Sequence, residues 1–162
     1  MFAKTIISTA LVLMPLSGAT FAAEASGPEC GTITLAGGEK IINVIDNSPE
    51  GPSPGDVRAG SRQLVDASGE PVGEVHFVAT QTATPANGRG SVLASQYFVK
   101  FSNGWVASSS VYELPDAGDT SQHAGNAILV VSGGTGAFEN ASGTIVIEAG
   151  DPPTYVLNLT CG

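Results

Sequence analysis

Basic residues are scarce in this chain: 6 lysines and arginines stand against 15 aspartates and glutamates, a formal net charge of −9 over 162 residues. The few cations are scattered, so no basic patch is available to neutralise phosphates. Nucleic acid and anionic membrane surfaces are excluded as partners on that ground. Metal ligands are equally rare. His76 and His123 have no ligand-like spacing to either cysteine, which excludes a Cys/His metal centre. No apolar run is long enough to cross a bilayer as a helix. Serines are many, Ser108-Ser109-Ser110 among them, but no G-x-S-x-G elbow occurs and serine-hydrolase chemistry has no support. Helical periodicity beyond two turns is also missing.

What is present begins with an address. Lys4 gives a weak positive start, and residues 6–16 are apolar apart from Ser8, Thr9 and Pro15. Such a run is too short for a membrane span and has the layout of a secretory leader. Ala23-Glu24-Ala25 fits the cleavage rule, with a cut after Ala22 as the competitor. The expectation is a leader over 1–25 and one domain over 26–162, secreted or periplasmic. Cys30 and Cys161 then sit near the two ends of the mature chain. In an oxidising compartment two such cysteines read as one disulfide joining the terminal strands.

The domain reads as strands. β-Branched and aromatic runs are punctuated by turn residues. The expected strands cover 32–35, 40–45, 57–65, 72–82, 91–101, 105–113, 127–131, 143–148 and 155–159, with a turn at Ala36-Gly37-Gly38-Glu39. The proline-rich stretch 47–56 is an exposed loop, and Asn103-Gly104 signals a tight hairpin. Eight or nine strands on short loops are mostly antiparallel neighbours. A sheet that long curls, and a disulfide between its ends suggests closure into an all-β, eight-stranded, lipocalin-sized barrel; a sandwich is the alternative. Alternation places Val75, Phe77 and Ala79 on one face and Glu74 and His76 on the other. Leu93, Tyr97, Val99 and Phe101 likewise oppose Gln96, Phe98 and Lys100.

The run VVSGGTGAFENASGTIVI, 130–147, has the glycine density of a phosphate cradle. It lacks the rest of one. No lysine follows the glycines, a strand pattern replaces the helix whose N-terminus would hold an anion, and Glu139 would repel it. The run reads instead as an inter-strand connection needing positive φ, with Phe138 turned onto the core.

These residues resemble a known family. Gly133-Gly134-Thr135-Gly136-Ala137-Phe138, then Ala141-Ser142-Gly143-Thr144, is similar to the GGTG-x-F-x-x-A-x-G signature of allene oxide cyclases and dirigent proteins. Ser142 stands where the family has arginine. Pro54-Gly55-Asp56, Leu64-Val65-Asp66, Gly69 and Val72-Gly73 resemble a second family block, and Tyr97-Phe98-Val99-Lys100-Phe101 before Asn103-Gly104 a third. The resemblance implies a closed eight-stranded antiparallel barrel, usually trimeric, that binds a small hydrophobic molecule. Its members guide stereoselective cyclisation or coupling with no metal or organic cofactor, as a cofactor-independent isomerase or cyclase does. A lipocalin-like carrier of an apolar ligand, or a structural barrel with a filled core, are the alternatives.

Under this resemblance Val75, Phe77, Ala79, Leu64 and Tyr97 are expected to line the cavity. Arg62 falls where an allene oxide cyclase has a cavity asparagine, and Ala79 falls near a cavity cysteine. The candidates for chemistry are Arg62, Arg58, Tyr97 and His76. One register of 57–65 points Arg58, Gly60, Arg62 and Leu64 inward; the other puts both arginines outside, and the sequence leaves the two open. Tyr112 offers a further hydroxyl. Asp56 and Asp66 sit at turns, where carboxylates cap backbone donors, and His76 beside Glu74 fits a solvent-facing surface.

Overall fold

Period-two burial decides the architecture. In the computed structural model, which describes residues 27–47, 49–84, 90–114 and 127–162, eight strands follow one another. They are β1 (Thr32–Ile45), β2 (Val57–Val65), β3 (Pro71–Ala83), β4 (Ser91–Phe101), β5 (Gly104–Leu114), β6 (Ala127–Gly136), β7 (Ser142–Glu148) and β8 (Thr154–Thr160). Each pairs with the next in sequence, and β1 pairs antiparallel with β8, so the sheet closes into a barrel. The expected leader over 1–25 and His123 lie outside the described residues.

The alternation is clearest in β4, where Ser91, Leu93, Ser95, Tyr97, Val99 and Phe101 are all buried while Gln96, Phe98 and Lys100 are exposed. A strand with an apolar residue at every second position can bury that set only by facing an enclosed interior, and closure supplies one without leaving a bare edge. The Cys30–Cys161 disulfide spans the seam between β1 and β8, with the two Cα atoms 6.0 Å apart.

Two glycine runs read as turns are strand instead. Residues 36–39 do not reverse the chain: β1 runs straight through them, with a register shift between Gly37 and Lys40. The strand pairs with β8 over Thr32 to Ala36 and with β2 from Ala36 and Gly37 on, resuming at Lys40 after the shift. A bulge kinks the strand so that it can turn the corner of the barrel between these two partners. Gly133 to Gly136 likewise extend β6, with Thr135 opposite Trp105 and Gly136 opposite Gly104. The reversal comes at Ala137–Asn140, and Phe138 is fully buried within it. Gly134 leaves the room for this: a Cβ there would press on the Trp105 and Phe138 carbonyls and come 2.9 Å from the Phe138 Cβ.

The barrel has two unlike ends. At one, the β2–β3, β4–β5 and β6–β7 turns gather with the disulfide, and the tilted rings of Phe138 and Phe101 pack with centroids 5.2 Å apart. Val99, Val106, Leu129, Ile145 and Leu157 fill the space above them, each with no exposed surface. At the other end lie the β1–β2 and β7–β8 connections, with the strand ends Ala83, Ser91, Leu114 and Ala127. The β1–β2 loop is pinned there by Asp56, which accepts hydrogen bonds from the Ser53 and Asn47 backbone N–H groups at 2.7 and 2.9 Å. These donors hold its carboxyl below the usual carboxylate range, the Ser53 N–H most. Asp66 caps the β2–β3 turn in the same manner, with Ser68 Oγ donating at 2.6 Å.

Candidate functional site in the barrel lumen

The register of β2 against β3 places the two arginines. Arg58 lies opposite Ala79 and Arg62 opposite Val75, and both of those partners are buried inward-facing residues. Of the two registers left open by the sequence, the one that turns Arg58, Gly60, Arg62 and Leu64 inward is the one formed. Arg62 is only 8% exposed and Leu64, a step nearer the turn end, is wholly buried, while Arg58 is half-buried. Along this face the wall changes from aliphatic to cationic as it approaches the loop end.

The other walls change character at the same height. Tyr97 on β4 and Tyr112 on β5 bring their hydroxyls within 3.0 Å of each other. The Tyr97 ring stacks on Phe77, with centroids 5.5 Å apart, and Phe77 faces Gly60 across the β2–β3 pair. Tyr155 of β8 is buried as well. Nearer the loops, Ser91 Oγ donates to Gln81 Oε1 at 2.8 Å, and both residues are buried. Phe77, Arg58 and Tyr112 share the inward face and are half-buried. Ladder pairing between β5 and β6 stops at Ser109 and Val130, beyond which Ser110 Oγ donates to the Ile128 carbonyl at 2.6 Å.

Burial sets the protonation of this cluster. A phenolate cannot be solvated in an apolar barrel, so Tyr97 is pushed well above the ordinary phenol value, chiefly by desolvation and further by Tyr112. Tyr112 is raised by burial against the opposing hydrogen bond of Tyr97 and the positive charge of Arg58. Tyr155 is pushed up to about 12 by burial, against the positive charge of Arg62. At neutral pH all three are O–H donors, and two guanidiniums stand beside them.

An alkaline titration tests this directly, because the chain contains 3 tyrosines and all of them are in the cluster. Every folded-state value lies above the unfolded value of about 10. Below that pH both states hold the protons and stability is unaffected. Above it the unfolded chain releases them first, and stability falls as pH rises. Tyrosinate absorbance is therefore expected to stay flat through pH 10 and to appear together with loss of the barrel's circular dichroism. A phenol titrating with an ordinary midpoint in the folded protein would overturn the burial argument.

The remaining sequence candidates separate cleanly. Leu64, Val75, Ala79 and Tyr97 are buried on the inward face, and Phe77 shares it half-buried. His76 is on the outer surface: its Nε2 lies 3.3 Å from Glu74 and its ring stacks against Trp105. It is out of reach of the lumen. Among the described residues no cluster of His, Cys, Asp and Glu could hold a metal ion, and no helix is long and apolar enough to cross a membrane. Gln81 and Tyr155 escaped the sequence reading. For Gln81 a signal existed, since it continues the Val75, Phe77, Ala79 parity; for Tyr155 its alternation with Leu157 and Leu159 was the only sign.

The barrel is similar to that of a pyocyanin demethylase. That likeness has a TM-score of 0.68 at 20% sequence identity and covers 80% of this chain and 99% of the other. The Diels–Alderase AbmU of Streptomyces koyangensis follows at a TM-score of 0.60 and 11% identity, over 81% of this chain and 64% of that one. A nonspecific heme-binding cyclase that catalyses a cycloaddition in neoabyssomicin biosynthesis gives a TM-score of 0.60 at 11% identity, over 81% of this chain and 65% of its own. This chain thus spans a little under two thirds of the last two. At such identities the likeness is one of fold alone. No family model matches the chain, and no curated protein matches it.

Proposed function

We propose that this chain is an exported barrel of the allene oxide cyclase and dirigent type, which takes a small hydrophobic molecule into its lumen and guides its stereoselective cyclisation or coupling. The observation that carries the reading is the lumen wall itself. Its closed end is apolar and packed, and toward the loops it carries buried and half-buried donors, with Tyr97 and Tyr112 at 3.0 Å as their centre. An apolar enclosure restricts the conformers of a flexible molecule, and fixed donors in a low dielectric stabilise charge that develops on its oxygens. A plain carrier needs no such convergence of polar groups, so these donors favour the catalyst over the carrier and over a filled structural barrel. The demethylase and cyclase barrels to which it is similar add support at the level of fold. The chemistry as proposed needs no metal or organic cofactor.

The same reading includes a trimer. The outer face across β3 to β6 carries Val78, Phe98, Val111, Ile128 and Val130, each more than 40% exposed, with Val78 at 42% and Val111 at 68%. That face would supply the subunit contact.

Native mass spectrometry of the exported protein, with Nile red as a neutral apolar probe, tests the whole proposal. The expected result is a chain beginning at Ala23 or Ser26, a trimer at micromolar concentration, and one saturable dye site per barrel. A protein that binds neither Nile red nor any co-purifying apolar molecule overturns the lumen reading. A monomer overturns the trimer, and an uncleaved leader overturns export.

A further inference from the structure

Closure at the seam is shorter than the strand that makes it. β1 has 14 residues and β8 only 7. β8 pairs with β1 over Thr32 to Ala36 and no further. The last backbone bond on that side runs from the Gly37 N–H to the Pro153 carbonyl at 2.8 Å. Upstream of Thr154 the chain offers Pro153 and Pro152, which have no N–H to donate and cannot prolong the ladder. Lys40 to Ile45 therefore pair with β2 along one edge, and among the described residues no backbone bond reaches the other edge.

A bare edge is a template for another strand, and sheets usually blunt it with charges, prolines or bulges. From Ile41 to Ile45 this one carries none of them. Ile41, Val44 and Ile45 are 62%, 54% and 57% exposed. They belong to both faces of the strand: Val44 lies opposite Arg58 on the lumen parity, and Ile41 opposite Ser61 on the outer parity. Adding one strand alongside would cover part of both faces and supply the missing backbone partners together. The charges sit at the two ends of the stretch, Lys40 before it and Asp46 after it.

We propose that the strand which covers this edge is the same edge of a second copy, paired antiparallel across a two-fold axis so that two barrels share one sheet. The register selects this occupant. A two-fold pairing of antiparallel strands sets one residue opposite its own copy. Centred on Ile42, it would set Val44 against Lys40 and Ile45 against Glu39. Centred on Val44, it would set Ile42 against Asp46. Centred on Asn43, it sets Ile41 against Ile45, Ile42 against Val44, and Lys40 against Asp46 at each end, with the two Asn43 amides facing across the axis. Apolar meets apolar, cation meets anion, and the polar centre meets itself. A second copy has that order by construction, whereas an unrelated peptide would have to reproduce it. In the order of strands around the barrel β1 lies across from β5, so this contact is separate from the β3 to β6 face and doubles whatever assembly that face forms. Seven residues from each copy make a small interface of the weak, transient kind, so the doubling is expected above micromolar concentrations.

Sedimentation equilibrium of the mature protein over rising concentration, together with cysteine cross-linking, tests the pairing. The mass is expected to double reversibly, and Lys40→Asp to weaken the doubling about tenfold, because it turns both end pairs from attractive to repulsive. In Asn43→Cys the new thiol faces its own copy across the axis, so mild oxidation is expected to link two chains at least about tenfold faster than in Ile41→Cys. Ile41 is the fair control, since it is also exposed and shares the face but lies opposite Ile45 of the second copy. All three positions are exposed, so the variants are expected to fold. A mass that stays constant at every concentration overturns the pairing and leaves the edge to an extended segment of a different protein. Doubling that Lys40→Asp does not weaken, or equal cross-linking at the two positions, places the contact on another face and also overturns it. Doubled mass without any trimer overturns the trimer reading and leaves this inference standing.

Discussion

Reduction of the Cys30–Cys161 disulfide is expected to lower the stability of the barrel by about 4–5 kcal/mol, the loop-closure entropy of so long a loop. The two residues are separated by 131 positions, so nearly the whole described chain lies inside the loop. In the folded state the bridge sits where β1 meets β8, a seam of five residue pairs from Thr32–Asn158 to Ala36–Thr154. Both sulfurs rest near the Ala137 carbonyl oxygen, at 3.8 and 3.9 Å, over the buried turn. The seam is the last closure of the barrel and brings together the most distant parts of the sequence, so its entropic cost is the largest of any strand pair. The cross-link prepays that cost in the unfolded chain. A Cys30→Ser/Cys161→Ser variant is expected to unfold roughly 10–20 °C lower. Its denaturant m-value should rise, because the unfolded state without the bridge is more open. A loss below about 1 kcal/mol would show that the unfolded chain already holds its ends together.

Much of this architecture was legible beforehand, for a physical reason. Alternation is local, so β4 could be read from Leu93, Tyr97, Val99 and Phe101 without knowing its partners, and the cysteines at the chain ends pointed to the seam. What was not legible depends on distant neighbours. Gly37-Gly38 looks alike as a turn and as a bulge; the choice is made by β8 lying alongside, with the Gly37 N–H donating to the Pro153 carbonyl at 2.8 Å. The reversal expected at Asn103-Gly104 in fact places Phe101 opposite Gly104, with Ser102 and Asn103 as the turn. The facing of β2 was undecidable because its sequence, VRAGSRQLV, puts small or charged residues on both parities. Pairing with Val75 and Ala79 of β3 decides it. The part of the candidate site that could not be read, the two arginines, therefore lies in the one strand whose own pattern is silent, whereas Tyr97 was legible from β4. That is expected of functional positions, where the apolar rule is broken in favour of binding groups.

Phe138→Ala is expected to destabilise the barrel by about 3–5 kcal/mol, the range for emptying a fully buried aromatic site. The ring has no exposed surface and packs on Phe101, with centroids 5.2 Å apart and planes tilted by 37°. It lies against Gly104, whose added Cβ would come 3.1 Å from the ring, and against Gly134. The backbone around it cannot follow a smaller side chain inward. Ala137 donates to the Asn103 carbonyl at 3.0 Å, which ties the turn to the β4–β5 turn, and Ala141 donates to the Phe138 carbonyl at 3.0 Å, which closes the turn on itself. A closed sheet relaxes little toward a void, which keeps the cavity open and places the cost in the upper part of the range. Phe138→Leu, which refills much of the volume, should recover more than half of the loss. Urea unfolding with an unchanged m-value checks both variants. The lumen donors lie toward the opposite end, so the folded fraction of Phe138→Ala is expected to keep its Nile red site. A loss of stability below about 1 kcal/mol would mean that the glycine-rich signature holds the turn without its aromatic plug. A folded variant that no longer binds the dye would place the ligand at the closed end, away from Arg58, Tyr97 and Tyr112.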